Sequence, residues 1–124
     1  MKPKPSVGIV IPVFNRLELT IKCLNSLSEV TYPNFTIIIV DDASSDGTYE
    51  YLSLHHPDIV LVKGDGNQWY SGGMNAGIKK VFELNLDYIL FLNNDNTVEP
   101  EFLGYLVEEA LNQPNTICCS IVFY

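Results

Sequence analysis

Apolar residues fall along this chain in two kinds of pattern. Short unbroken blocks alternate with stretches where apolar residues recur every three or four positions. The blocks are Val7–Val13, Phe35–Val40, Ile59–Val62, Tyr88–Leu92 and Ile117–Tyr124. Unbroken runs of this length, bounded by turn residues, predict strands buried on both faces, as in a parallel sheet. Between them, Leu17, Ile21, Leu24 and Leu27 predict a helix with one apolar face, with Asn15 as its N-cap. A short helix is expected after Ser44-Ser45-Asp46-Gly47, ending before Pro57. Ser71-Gly72-Gly73 is expected to open a helix carrying Met74, Ile78, Val81 and Phe82. Pro100 marks the start of another, with Leu103, Leu106, Val107 and Ala110 buried and Pro114 beyond its end. The order is βαβαβαβαβ. It predicts an α/β fold with a mostly parallel sheet, helices on both faces and right-handed crossovers.

Polar residues collect where the apolar blocks stop. Phe14-Asn15 follows the first, Asp41-Asp42 the second, and Asn93-Asn94-Asp95-Asn96 the fourth. Asn and Asp favour turns for local reasons, so one such tip means little. In a doubly wound sheet, however, all three tips share one edge. With strands in the order 3-2-1-4, the first and fourth flank the switch point, where ligands bind. Asp42 and Asp95 are then expected to face one another across a pocket.

Composition narrows the ligand. The 124 residues, 47% hydrophobic, suit one domain with a substantial core. Seven Lys and Arg against fifteen Asp and Glu give a net charge of −8. That excludes a general nucleic-acid role, which needs clustered Lys and Arg. A small phosphate-bearing ligand stays open if a divalent cation offsets the acidity. Cys23, Cys118 and Cys119 form no CxxC pair and are expected as core thiols. No apolar run approaches the ~20 residues of a membrane span. The start of the chain has two lysines before an apolar run, but that run is too short for a signal peptide and holds Pro12. The apolar end at Ile121-Val122-Phe123-Tyr124 suggests the amino-terminal part of a longer protein.

Three segments carry a resemblance. Val-Gly-Ile-Val-Ile-Pro-Val-Phe-Asn (7–15), Ile-Val-Asp-Asp-Ala-Ser-Ser-Asp-Gly-Thr (39–48) and Phe-Leu-Asn-Asn-Asp (91–95) resemble the family 2 glycosyltransferases of the GT-A fold, a Rossmann-like fold for nucleotide-diphospho-sugars. The resemblance covers nearly the whole chain. The third segment departs from the family's Asp-x-Asp, because Asn93 stands where the first Asp would be. Members described as rhamnosyltransferases often show such an Asn, and a Trp-x-Ser-Gly-Gly-x-Asn-x-Gly segment similar to Trp69–Gly77.

The resemblance implies inverting transfer of a sugar from a nucleotide diphosphate to an acceptor hydroxyl, in polysaccharide or cell-surface glycan synthesis. The donor would be a UDP- or dTDP-sugar, the acceptor a glycan or a lipid-linked group. It assigns substrate binding to Pro12, Phe14, Asn15, Asp41, Asp42, Gly72, Gly73, Asn93 and Asn94. Phe14 would offer a π-face to the base or ribose. Asp42, acceptor-only, would take the ring N–H of uracil or thymine; Asp41 is the second choice for that role, with capping of the following turn as its alternative. Asp95 would hold Mg²⁺ or Mn²⁺, which Asn93 supports only with a neutral oxygen. Gly72 and Gly73 would bring backbone amides to an anion or, equally, let a helix pack closely. Trp69-Tyr70 would line a sugar pocket or pack under the loop. The general base is expected beyond Tyr124, so residues 1–124 would bind donor without transferring sugar. The place of action is expected in the cytoplasm, at the inner face of the membrane. Two alternatives remain at this point: a non-catalytic nucleotide- or sugar-binding module, and a receiver-like signalling domain with paired acids at a strand end.

Overall fold

The computed structural model describes residues 3–120. Its elements are β1 (Val7–Val13), α1 (Leu17–Leu27), β2 (Phe35–Asp41), α2 (Thr48–His55), β3 (Val60–Lys63), α3 (Trp69–Glu83), β4 (Tyr88–Phe91) and α4 (Phe102–Asn112). The strands form one parallel sheet, as the alternation predicted, and their order is β3-β2-β1-β4. A receiver domain runs 2-1-3-4-5, with its third strand beside its first. Here β3 lies beside β2, so the sheet excludes that alternative.

Side chains alternate across β1, and each face has its own helices. Ile9, Ile11 and Val13 pack with Leu24 and Leu27 of α1, Leu52 of α2 and Leu103 of α4. Val10 and Ile38 pack with Met74 and Val81 of α3. Each fully buried Leu or Ile contributes about 1.5–3 kcal/mol relative to exposure. On the second face α3 comes very close to β1. A Cβ on Gly77 would sit 2.1 Å from Val10 Cγ1, so only glycine fits there. Pro12 is tolerated inside a central strand because of register. The Val10 carbonyl accepts the Leu92 N–H, so even-numbered residues of β1 turn towards β4. The β4 ladder ends at Val10↔Phe91, and the missing Pro12 N–H breaks no bond.

Several expectations are corrected. β4 is not buried on both faces: its inner three residues are half-buried and Phe91 is 48% exposed. Only β1 pairs with it among the described residues. Ile117–Ser120 forms no strand, and Ile117 is 90% exposed; Ile121–Tyr124 lies outside the described residues. Cys23 is a core thiol, but Cys118 is half-buried and Cys119 exposed. Helix α3 opens at Trp69 rather than at Ser71. Arg16, in a left-handed conformation, precedes α1 where Asn15 was expected as the cap.

Candidate functional site

The loops after β1, β2 and β3 are stitched together by side chains. Asn15 donates its backbone N–H to Ser44 Oγ at 2.7 Å, and its Oδ1 accepts the Ser45 N–H at 2.8 Å. Its side chain is therefore spent on the β2–α2 loop, which is why it does not cap α1. Asp46 performs that task from a distance: Oδ2 accepts the Leu17 N–H at 3.2 Å, while Oδ1 takes the Thr48 hydroxyl and amide. The Thr48 hydroxyl holds the Asp46 carboxyl below its usual value; desolvation opposes it, and the Leu17 and Thr48 amides add to the lowering.

The two acids at the tip of β2 do different work. Asp41 is fully buried, and its Oδ1 accepts the Ser44 N–H at 2.9 Å, which caps the turn. Asp42 turns the other way. Its Oδ1 accepts the Gly66 N–H at 2.8 Å, and its Oδ2 accepts those of Gln68 at 3.1 Å and Trp69 at 3.2 Å. It thereby fixes the β3–α3 loop and the first residue of α3. Gly64 packs against it so tightly that a Cβ would lie 2.7 Å from Asp42 Oδ1.

The tip of β4 rests on α1. Asn94 Nδ2 donates to Thr20 Oγ1 at 3.1 Å, and the Cys23 thiol approaches the Asn93 carbonyl at 3.9 Å. Val98 N–H donates to Ser26 Oγ at 3.1 Å. Asn93 and Asp95 remain exposed above this support. Burial first, and then the Asp95 charge, push the Cys23 thiol up to about 11.

These tips enclose a cleft of about 430 Å³. Phe14 and Pro12 reach it from β1, Asp42 from β2, Gly73 from α3, and Asn93, Asn94 and Asp95 from β4. The structure thus brings Asp42 and Asp95 to one cleft, as the strand order required. It does not bring Asn15, Asp41 or Gly72 to the wall. The first two serve the loop. The Gly72 amide donates to the Gln68 carbonyl at 2.8 Å inside the helix, so it is not free for an anion. Gly73 is a packing glycine as well as a wall residue, since a Cβ there would lie 3.1 Å from Pro12 Cβ. Gly66, Trp69 and Tyr70 also line the cleft. Trp69 is 82% exposed and so is not packed under the loop. A larger hollow of about 790 Å³ runs along α4 and the 116–120 segment. It holds Glu99, Glu101 and Glu109 but no strand tip.

No group of three His, Cys, Asp or Glu side chains capable of holding a metal occurs among the described residues. One exposed carboxylate beside neutral amide oxygens is what Mg²⁺ or Mn²⁺ needs when a ligand's phosphates complete its shell. Asp95 and Asn93 fit such a cation, held largely by its ligand.

This parallel 3-2-1-4 sheet with its cleft at the strand tips matches the GT-A fold of solved glycosyltransferases. The chain belongs to glycosyl transferase family 2, whose family model matches residues 8–124. It is 24% identical over 121 residues to a UDP-N-acetylglucosamine–dolichyl-phosphate N-acetylglucosaminyltransferase of Methanococcus voltae, covering 86% of this chain and 47% of that one. It is 33% identical over 103 residues to a poly(ribitol-phosphate) beta-glucosyltransferase of Bacillus spizizenii, covering 78% and 16%. Among solved structures, S. aureus TarS 1-349 in complex with UDP superposes with a TM-score of 0.76 at 20% identity, over 86% of this chain and 32% of that one. Mannosyltransferase PcManGT from Pyrobaculum calidifontis, in complex with GDP-Man and Mn²⁺, gives 0.74 at 21% identity, over 87% and 33%. The chain therefore spans less than half the length of these relatives.

Proposed function

We propose that this chain is the donor-binding part of an inverting glycosyltransferase that uses a UDP- or dTDP-sugar. The observation that carries the reading is the shared cleft of Asp42 and Asp95. A carboxylate has about four acceptor sites. Three on Asp42 are filled by backbone amides, which leaves room for one more donor. Uracil and thymine present one such ring N–H beside Phe14. Asn93 and Asp95 lie at the β4 tip, where a diphosphate and its cation would sit. Solved neighbours in complex with UDP, and with GDP-Man and Mn²⁺, support a nucleotide donor and a divalent cation.

A bound Mg²⁺ or Mn²⁺ would supply Lewis-acid stabilisation of the leaving diphosphate. The chain's own residues bind and orient: Asp42 fixes the base edge, Phe14 covers the ring, and Pro12 and Gly73 shape the floor. With Asp42 committed to amides and Asp95 to the cation, the general base is assigned to no residue of this chain. Glu99 and Glu101 line the hollow along α4 instead. The acceptor is a glycan or lipid-linked hydroxyl, met at the cytoplasmic face of a membrane. Relatives named for a dolichyl phosphate and a poly(ribitol phosphate) support that class.

A calorimetric panel tests the reading. UDP and dTDP should bind more tightly than ADP or GDP, and more tightly with Mn²⁺ than with a chelator. Asn93 and the Trp69–Gly77 segment make dTDP-rhamnose a donor to include. Equal affinity for all four nucleotides, or none for any, would sink the proposal.

A further inference from the structure

Trp69 is held in an unfavourable backbone conformation while burying almost nothing. Its φ is 54°, in the left-handed region that a bulky residue rarely adopts and glycine adopts freely. Its side chain is 82% exposed, so core packing does not account for the strain. Strain of this sort clusters at ligand sites, where the surroundings over-determine it. What over-determines it here is Asp42, whose Oδ2 accepts the Trp69 N–H. Phe14, 61% exposed, is tied to the same acid from the other side: the Asp42 N–H donates to the carbonyl of Val13, the residue before it. β1 and β3 flank β2 in the sheet, so Phe14 and Trp69 reach the Asp42 tip from opposite neighbours. Both rings line the same cleft.

Resting on the nucleotide-donor reading above, we infer that Trp69 is the second aromatic wall of a slot for the nucleobase, with Phe14 as the first and Asp42 at its closed edge. A flat ring between two aromatic faces gains stacking whatever the base, while the acid between them selects a ring with an N–H. Trp69 then sets affinity for the base and Asp42 sets its identity.

Trp69 is the sole tryptophan of the chain, so its emission reports on the slot directly. The experiment follows that emission with UDP, uridine, pyrophosphate, a UDP-sugar and a free hexose, and measures binding independently by calorimetry. UDP, uridine and the UDP-sugar should quench the indole; pyrophosphate and the hexose should not. Trp69→Ala should weaken UDP binding about tenfold or more, and Trp69→Phe about threefold or less, because the smaller ring still stacks. Trp69→Gly, free of the backbone strain, guards against a folding defect: it should keep the thermal midpoint and show the same loss of affinity. If UDP binds by calorimetry but the emission is unmoved and Trp69→Ala binds equally well, the inference is wrong and the donor reading stands. Quenching by the UDP-sugar but not by UDP would also overturn it, making Trp69 a wall for the sugar. No binding of any nucleotide takes down both.

Discussion

The backbone N–H of Trp69 donates to Asp42 Oδ2 at 3.2 Å, across 27 residues of sequence. The Gln68 N–H joins it at 3.1 Å, and no side chain near α3 in sequence caps that helix. An acid at the end of β2 thus sits at the positive end of the α3 dipole, where negative charge is favoured. The same carboxylate faces the cleft. On the proposed reading, base recognition and the anchoring of α3 depend on one side chain.

Asp42→Asn should therefore damage the fold as well as binding. The amide group would turn an N–H₂ towards amide donors and leave at least one of them unsatisfied, at a cost of about 1–3 kcal/mol. Denaturant unfolding gives the loss, and hydrogen exchange should quicken at Gly66, Gln68 and Trp69. Unchanged stability would mean that these three bonds contribute nothing.

Asp95→Asn should leave the fold intact, since that side chain is exposed. UDP should still raise the thermal midpoint, but Mn²⁺ should no longer add to the effect. At a hundredfold excess over its dissociation constant a ligand stabilises by about 2.7 kcal/mol, so the missing increment is measurable. A mutant with the full Mn²⁺ increment would remove Asp95 as the cation ligand.

Stability should fall in acid partly through Asp46. Its folded carboxyl titrates below the unfolded value of about 3.9, first because of the Thr48 hydroxyl. The stabilisation is thus fully present above that value and disappears as pH falls through the lower folded one. Asp87, lowered by the Ser6 amide and hydroxyl, acts with the same sign. Asp46→Asn should be less stable at pH 7 and show a shallower acid decline in urea midpoint between pH 5 and 2. Parallel curves for the two proteins would contradict this.

Cys23 should be the slowest thiol to alkylate. With its titration pushed up to about 11, about one thiol in a thousand is ionised at pH 8, and the side chain is buried as well. Mass spectrometry after iodoacetamide should find Cys119 modified first and Cys23 last. Asp95→Asn removes a negative charge that resists ionisation, so its Cys23 should react at lower pH. Equal rates at Cys23 and Cys119 would exclude this environment.

Much of this architecture was legible in sequence because strands and tips follow local rules. Unbroken apolar blocks gave four strands, and their alternation with helices gave a parallel sheet, whose strand tips, Asp42 and Asp95 among them, share one edge. What was hidden depends on distant partners. Nothing near Asp42 shows that it will take amides from residues 66, 68 and 69. Asn15 has the chemistry of a cap, yet Ser44 and Ser45, some thirty residues on, claim its groups. Trp69 in a left-handed conformation contradicts its own propensity, so the start of α3 could not be read there. Ile117–Ser120 is apolar enough for a strand, but an apolar run becomes one only beside a partner strand, and no strand is formed there among the described residues.

The strand order also bears on how the protein emerges from the ribosome. Phe14, Asp42 and Trp69 are synthesised before Asp95, at the tips of β1 and β2 and the start of α3, and all three strands β1, β2 and β3 precede β4 in the chain. β1 meanwhile keeps one edge open until β4 arrives and pairs with it from Val7↔Tyr88 to Val10↔Phe91; the Ser6–Asp87 contact beside that ladder spans 81 residues. An open edge is a template for wrong pairing. On the proposed reading, a nucleotide with its cation would bind more tightly once both tips stand together than to the β2 tip alone, and so would draw the nascent chain towards the correctly closed sheet.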